Sequence, residues 1–135
     1  MVSDIKQVIV VRHDLNYGTL GKKIAQASHA SLAFLTNRIS FWGKGPDDTH
    51  IDARLGVTEA EQAWIKGSFA KICVRVDSEA ELLDVHQTAL KAGLVSYLIT
   101  DKGLTVFKEP TITCCGIGPD TSERLDPVTG HLRLL

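Results

Sequence analysis

Residues 5–12 read IKQVIVVR, and their pattern indicates the class of fold. The stretch is rich in β-branched residues and almost continuously apolar, which predicts a central strand covered on both faces, as in α/β proteins. Residues 13–18 (HDLNYG) then leave the carboxyl end of that strand as a loop. In open α/β sheets, ligands bind at the carboxyl ends of strands. We therefore expect an α/β fold with its functional site near this loop.

A helix is predicted to follow, from Gly21 to Asn37. At 100° per residue, one stripe of this helix contains Lys22, Gln26, His29 and Ala33. The roughly opposite stripe, which we expect to face the core, contains Ile24, Ser28, Ser31, Leu32 and Leu35. A helix that opens on glycine and carries lysine in its first turn suits an anionic ligand. The alternative is that Lys22 and Lys23 form a solvated face.

The rest of the chain alternates strand and helix patterns. Apolar runs predict strands at 69–76, 95–100 and 111–117, the last closed by Gly118-Pro119. Capping-box spacings, TEAE at 58–61 and SEAE at 78–81, predict helices over 58–66 and 78–92, and a short helix is expected at 120–128. Residues 42–48 (WGKGPDD) have turn chemistry and predict no regular element within the segment 38–57.

These elements predict one domain, residues 1–135, of the α/β class. Its architecture is expected to be a three-layer α/β/α sandwich around a small mixed, mostly parallel four-stranded sheet. The terminal tail, residues 130–135, is apolar and is expected to dock onto this body.

Composition limits the classes of function. The chain has 135 residues, 44% of them hydrophobic, and a net charge of −1, which argues against a generally basic nucleic-acid coat. The first 44 residues nevertheless hold six basic against two acidic residues, so a local basic patch is possible. No apolar run approaches the ~20 residues of a membrane span, and no leader peptide is expected. Cys73, Cys114 and Cys115 lie in strand-like runs without C-x-x-C spacing, which indicates reduced thiols and a cytoplasmic protein.

Several catalytic motifs are absent from the sequence. G-x-S-x-G, G-x-x-x-x-G-K-[ST] and H-x-x-x-H do not occur, so a nucleophile elbow, a P-loop and a helical zinc site are not expected. Cys114 as a nucleophile is disfavoured, because a cysteine in mid-strand without a paired base is usually inert. By themselves, Asp101, Thr105 and Thr113 are more typical of turn and strand positions than of a catalytic site.

The ordered set of short motifs resembles the archaeal/eukaryotic-type peptidyl-tRNA hydrolases, the second structural class of that activity. The matching residues are 6–12 (KQVIVVR), 14–15 (DL), 21–22 (GK), 25–26 (AQ), 29–30 (HA), 76–79 (VDSE), 97–99 (YLI), Asp101, Gly103, Thr105, 110–111 (PT), Thr113, 117–119 (IGP) and 128–132 (VTGHL). The resemblance covers nearly the whole chain except residues 38–57.

This resemblance implies hydrolysis of the ester that joins a peptide, or an N-blocked amino acid, to the 3′ ribose of tRNA, which recycles prematurely released peptidyl-tRNA. It implies no metal and no organic cofactor, and it implies a homodimer, for which the terminal tail and Trp42 are candidate surfaces. The catalytic set that it implies is Lys22, Asp101, Thr105 and Thr113. Substrate contacts are expected from Lys23, Gln26 and His29.

The chemistry of these side chains fits ester hydrolysis. Asp101 could orient or deprotonate a water molecule, and a carboxylate beside Lys22 keeps a low pKa and is a weak base. Lys22 or the two threonine hydroxyls could stabilise the oxyanion, or Lys22 could hold a tRNA phosphate instead; the sequence leaves these open. Two other functions stay open as well: a non-catalytic tRNA- or protein-binding module, and hydrolysis of another small ester or amide.

Overall fold

The computed structural model describes residues 4–45 and 49–135. In chain order the elements are β1 (Ile5–Arg12), α1 (Leu20–Thr36), β2 (Ser40–Lys44), β3 (Ile51–Arg54), α2 (Glu59–Lys66), β4 (Lys71–Val76), α3 (Glu79–Lys91), β5 (Ser96–Asp101), β6 (Thr111–Thr121) and α4 (Ser122–Thr129). The predicted central strand has the bounds that the sequence indicated. The capping box at Thr58 is also confirmed: its side chain accepts from the backbone N–H of Glu61, and the Glu61 carboxylate accepts from the backbone N–H of Thr58.

The main sheet has four strands in the order β4-β1-β6-β5. It is mixed, as predicted, but it is not mostly parallel, because only β1 and β4 pair in parallel. β6 runs antiparallel to both β1 and β5. The physical reason is the connection between β5 and β6: a nine-residue loop with no helix turns the chain straight back, so these two strands pair antiparallel.

The predicted three layers are present. Alternate residues of β1 face opposite sides of the sheet, so Val8 and Val10 pack with the apolar residues of α3 and α4, whereas Ile9 and Val11 pack toward α1. α2 joins the α1 layer, since the Trp64 ring meets the Phe34 ring edge-on with centroids 6.0 Å apart. β1 is thus buried on both faces, which accounts for its nearly unbroken apolar sequence.

The predicted core face of α1 is wrong. Ile24 and Leu32 are 56% and 53% exposed, and the buried residues of the helix are Gln26, Ala30, Ala33 and Phe34. The small Ala30 lets the helix lie directly on β6, where any side chain at Gly116 would overlap the Ala30 carbonyl group. The helix therefore presents alanines and the polar Gln26 to the sheet, and it leaves larger aliphatic side chains outside.

The sequence predicted no regular structure for residues 42–48. This prediction is also wrong for residues 42–44, which lie in β2. β2 and β3 form a separate two-stranded antiparallel sheet, with Phe41 opposite Ala53 and Lys44 opposite Ile51. The register shifts between Phe41 and Lys44, and Gly43 has a positive φ of 65°, so the glycine accommodates a bulge rather than ending the strand. The predicted turn residues 46–48 lie outside the described part of the chain.

The end of the chain differs from the prediction in one respect. β6 does not end at Gly118-Pro119 but continues to Thr121, because Asp120 and Thr121 pair with Lys6 and Ile5 beyond a register shift in the β1–β6 pairing. Proline is tolerated in a sheet at such irregular positions. The terminal tail docks as expected: the backbone N–H of Leu135 donates to the Cys73 carbonyl group of β4.

Candidate functional site

The candidate site forms where the N-terminal end of α1 meets the carboxyl end of β5. Thr19, rather than Gly21, precedes the helix as its N-cap, and its hydroxyl group accepts from the backbone N–H of Lys22 at 3.1 Å. This cap uses one of the free N–H groups that the sequence suggested for an anionic ligand. The Lys22 side chain extends across to Asp101, the last residue of β5.

Asp101 lies at the centre of a set of hydrogen bonds. Its Oδ2 atom accepts from Lys22 Nζ at 2.7 Å and from Gln26 Nε2 at 3.0 Å, and its Oδ1 atom accepts from the backbone N–H of Gly103 at 2.9 Å. Lys22 Nζ also donates to Thr105 Oγ1 at 3.0 Å. The side chains of Lys22 and Asp101 are 19% and 10% exposed, so the ion pair is largely shielded but reachable.

Gln26 connects this set to Thr113 on β6. The Thr113 hydroxyl group donates to Gln26 Oε1 at 2.6 Å, and both side chains are buried. Because the amide oxygen is held by Thr113, the amide nitrogen points to Asp101. Thr113 is fully buried, so it contacts Gln26 rather than the pocket. We refer to Lys22, Gln26, Asp101, Thr105 and Thr113 as the polar cluster.

The polar cluster opens into a pocket of about 290 Å³, which we call the site pocket. α1 supplies one wall through Lys22, Gln26 and His29, and the end of β5 with its following loop supplies the other. Leu104, on that loop, is 83% exposed at the pocket. An exposed apolar side chain beside a shielded ion pair suits a substrate with both an uncharged part and a polar reacting group.

Lys23 lies apart from the polar cluster. Its Nζ atom is 3.5 Å from His13 Nδ1 and 5.6 Å from the centre of the Tyr17 ring. It lines a different depression, an apolar groove of about 470 Å³ that also includes Leu20, Ile24, Leu32, Phe69 and Leu135. The two adjacent lysines therefore lie in different surroundings, and of the two only Lys22 contacts Asp101.

Sequence reasoning assigned no role to two further residues of the site. The backbone of Gly103 holds Asp101, and its φ of 80° belongs to the left-handed region that favours glycine. The spacing Asp-x-Gly, which is common in turns, was the available signal for this contact. The Phe107 ring centre lies 6.0 Å from Lys22 Nζ, and no sequence pattern pointed to that contact.

The electrostatics of the site favour an ionised carboxylate. The hydrogen bond from Lys22 lowers the pKa of Asp101, and the Gly103 backbone N–H adds to this effect, which burial only partly opposes. Burial raises the pKa of Cys114 to about 11, so this thiol is protonated near neutral pH and is not a nucleophile. The site thus provides an anionic water-orienting group with an ammonium group beside it.

Among residues 4–45 and 49–135, no three His, Cys, Asp or Glu side chains come together in a way that could hold a metal ion. No helix in the same part of the chain is both long and apolar enough to cross a membrane.

The fold and the polar cluster together define an α/β protein with a lysine–aspartate pair at the carboxyl end of a sheet strand. A model of the family described as peptidyl-tRNA hydrolase PTH2 matches residues 5–135. The chain is 40% identical over 131 residues to a peptidyl-tRNA hydrolase of Methanopyrus kandleri, covering 96% of this chain and 97% of that protein. It is 34% identical over 131 residues to a peptidyl-tRNA hydrolase of Methanocaldococcus jannaschii, covering 97% of this chain and all of that protein. The chain therefore belongs to the peptidyl-tRNA hydrolase PTH2 family.

Among solved structures, a protein of unknown function from Agrobacterium tumefaciens matches 99% of each chain with a TM-score of 0.54 and 12% identity. At this level of identity the likeness concerns the fold alone.

Proposed function

We propose that this protein hydrolyses the ester bond between a peptide, or an N-blocked amino acid, and the 3′ ribose of tRNA, and so recycles prematurely released peptidyl-tRNA. The observation that carries the proposal is the Lys22–Asp101 pair that lines the site pocket, in a chain of the PTH2 family. Family membership does not favour the alternative of a non-catalytic binding module.

In this proposal Asp101 orients the attacking water. Its lowered pKa keeps the carboxylate ionised, so it acts as a hydrogen-bond acceptor for water and as a weak base rather than a strong one. Gln26 and the Gly103 backbone N–H hold the carboxylate in one orientation. Water attacks the ester carbonyl carbon and forms a tetrahedral intermediate. The C–O bond to the ribose then breaks, and the proton lost by the water passes to the ribose oxygen, so the products are the free carboxylic acid of the peptide and tRNA with a free ribose hydroxyl group.

Lys22 and Thr105 are placed to stabilise the charge that develops on the ester. Lys22 Nζ donates to both Asp101 and Thr105, so an ammonium group and a hydroxyl group lie side by side at the pocket. Preorganised donors of this kind are each worth about 2.7–4 kcal/mol in the transition state. Thr113 is fully buried, so in our proposal it positions Gln26 and does not contact substrate.

His29 and Lys23 are the proposed contacts to the RNA part of the substrate. His29 is exposed at the site pocket, next to the reacting groups. Lys23 lines the apolar groove, but its ammonium group lies beside His13 and the Tyr17 ring, which do not line that groove. There it could hold a phosphate without taking part in the chemistry. Binding through such contacts weakens as salt is added.

The test is release of the N-acetyl-amino acid from N-acetyl-aminoacyl-tRNA by the wild type and by Asp101→Asn. We expect the wild type to cleave this substrate and to leave unblocked aminoacyl-tRNA intact. Asp101→Asn is nearly isosteric and should still bind tRNA, but it should lose cleavage by about 10²–10⁴-fold. Tight tRNA binding by a wild type that cleaves nothing would instead identify a binding module.

We further propose that the protein is a cytoplasmic homodimer. The three thiols are free, which fits a reducing compartment. The apolar groove exposes Leu20, Ile24, Leu32, Phe69 and Leu135, which form a contiguous patch of the kind that marks a protein contact. A second copy would cover this patch, since a two-fold interface uses the same surface on both chains.

Measurement of the molecular mass in solution at micromolar concentration tests the dimer. We expect twice the chain mass for the wild type and a monomer for Leu32→Glu. Leu90→Glu, a similarly exposed leucine on α3, is the matched control and should stay dimeric. A monomeric wild type would remove this proposal and leave the hydrolase proposal untouched.

A further inference from the structure

The two-stranded sheet of β2 and β3, here called the exposed hairpin, is not explained by the site described above. All nine residues of its strands are exposed, so neither of its faces is covered by the rest of the chain. Two-stranded hairpins are marginally stable in water by themselves. A hairpin that the rest of the protein leaves uncovered is therefore a candidate surface for binding a partner.

The register of the exposed hairpin puts an aromatic side chain and a basic side chain on each face. Phe41 pairs with Ala53, and Lys44 pairs with Ile51, so Phe41 and Lys44 share one face. Trp42 alternates to the other face, which it shares with Arg54. Phe41 and Trp42 are 67% and 62% exposed.

This combination matches the surface chemistry of proteins that bind unpaired nucleic acid. Such proteins stack bases on exposed aromatic rings and hold the phosphates with basic side chains. The described strands carry Lys44 and Arg54 against the single acid Asp52, which lies on the face of Arg54. Asp47 and Asp48 lie between the two strands in the sequence, so residues 40–54 carry no net positive charge, and the complementarity to RNA rests on the two aromatic rings with Lys44 and Arg54 beside them.

The position of the exposed hairpin relative to the site pocket identifies which part of a substrate could reach it. Lys22 lies near one end of α1, and the hairpin follows the other end, Thr36. The intervening 14 residues span about 21 Å of helix. A substrate whose ester is bound at Lys22 can bring a remote part of its RNA near a surface that far away.

We propose that the exposed hairpin is a second RNA-binding surface, which stacks bases of the tRNA remote from its 3′ end on Phe41 and Trp42 and holds their phosphates with Lys44 and Arg54. This inference rests on the proposed function for the identity of the RNA. It assigns to β2 and β3 a role in substrate affinity that is separate from the chemistry.

Two substrates with the same reacting group test the proposal. One is N-acetyl-aminoacyl-tRNA, and the other is the same N-acetyl-aminoacyl ester on adenosine, which is too short to reach the exposed hairpin. Phe41→Ala/Trp42→Ala should raise KM for the tRNA substrate at least about fivefold, since loss of one stacked base costs about 5- to 150-fold. The kcat for that substrate and the kcat/KM for the adenosine ester should not change.

Charge variants give a second, independent readout. Lys44→Ala should raise KM for the tRNA substrate and reduce the slope of log KM against log salt by about 1, as expected for one lost phosphate contact. Asp52→Asn should lower KM, because it removes a repelling charge. Ile65→Ala, an exposed apolar side chain on α2, is the control and should leave both substrates unaffected.

Three results would overturn the proposal. The first is an unchanged KM for tRNA in the double variant, and the second is an equal loss with both substrates. The third is a change from dimer to monomer in the double variant with unchanged kinetics, which would assign the exposed hairpin to contact between copies of the chain. If the wild type cleaves neither substrate, the proposed function has failed. The RNA-binding surface is then tested by the affinity for tRNA, measured by fluorescence anisotropy. An equal Kd for the wild type and the double variant would reject the RNA-binding surface as well.

Discussion

Thr113→Val removes the one hydroxyl group that fixes the orientation of Gln26. Valine has nearly the same shape as threonine, so the change leaves the packing of β6 intact and deletes the 2.6 Å hydrogen bond to Gln26 Oε1. Both groups are buried, so the amide oxygen is left without a partner, at a cost of about 1–3 kcal/mol in the free energy of unfolding. For a chain of 135 residues this corresponds to a fall in Tm of roughly 3–15 °C.

The same substitution should also reduce activity. Once Thr113 no longer holds the amide oxygen, the amide of Gln26 can turn over and present oxygen instead of nitrogen to Asp101. The carboxylate then loses one of its donors, its pKa rises, and kcat/KM should fall about tenfold or more. Thr113→Ser keeps the hydroxyl group and is the matched control for both readouts.

Thermal unfolding and hydrolysis of N-acetyl-aminoacyl-tRNA, measured on the same samples, check this prediction. A double variant with Gln26→Ala shows whether Thr113 acts through Gln26, because the double variant should then be no less active than Gln26→Ala alone. If Thr113→Val and Thr113→Ser have equal activity, or if the two losses of activity simply add, the inferred positioning role is wrong.

Two further predictions concern packing and pH. Gly116→Ala should destabilise the protein by several kcal/mol, because its side chain would overlap the Ala30 carbonyl group, whereas Gly56→Ala has open space and should be neutral; urea unfolding compares the two. The lowered pKa of Asp101 means that its charge, and the stability it contributes, are present above its unfolded pKa of about 3.8 and are lost as the pH falls through the lower folded value. Hydrolysis should therefore show no acid limb above about pH 5, and Lys22→Met should move that limb to higher pH.

The elements that the sequence predicted well are those with a strong local signal. β1 could be identified because a strand covered on both faces must be apolar at every position, and its bounds were correct. α2 could be placed because the Thr58 and Glu61 side chains satisfy the first N–H groups of the helix in a recognisable spacing. Both signals lie within a few residues of the element that they define.

The features that the sequence did not predict depend on contacts between distant residues. The buried face of α1 was misassigned because Gln26 is polar, and only the approach of Asp101 and Thr113 makes its burial favourable. β2 and β3 were missed because glycine and proline in residues 43–46 normally interrupt regular structure, and the bulge at Gly43 absorbs that interruption.

The candidate site came from the resemblance rather than from any single motif. Asp101 and Thr105, taken alone, are ordinary turn residues, and no local pattern links them to Lys22, which lies 79 and 83 residues earlier. The structure brings these three side chains into contact, which supports the proposed site, and it separates Lys23 from them. Two adjacent lysines in a sequence do not show that their side chains contact different residues, so this separation could not be predicted.

We propose that Lys22, through its contact with Asp101, performs chemistry that its neighbour Lys23 does not. The most direct test compares kcat/KM for N-acetyl-aminoacyl-tRNA in Lys22→Ala and Lys23→Ala, which remove the same charge one position apart. We predict that Lys22→Ala loses about 10²–10³-fold, mainly in kcat, and that Lys23→Ala loses less than about tenfold, mainly through KM. Equal losses in the two variants, or a fully active Lys22→Ala, would show that Lys22 has no chemical role beyond that of its neighbour.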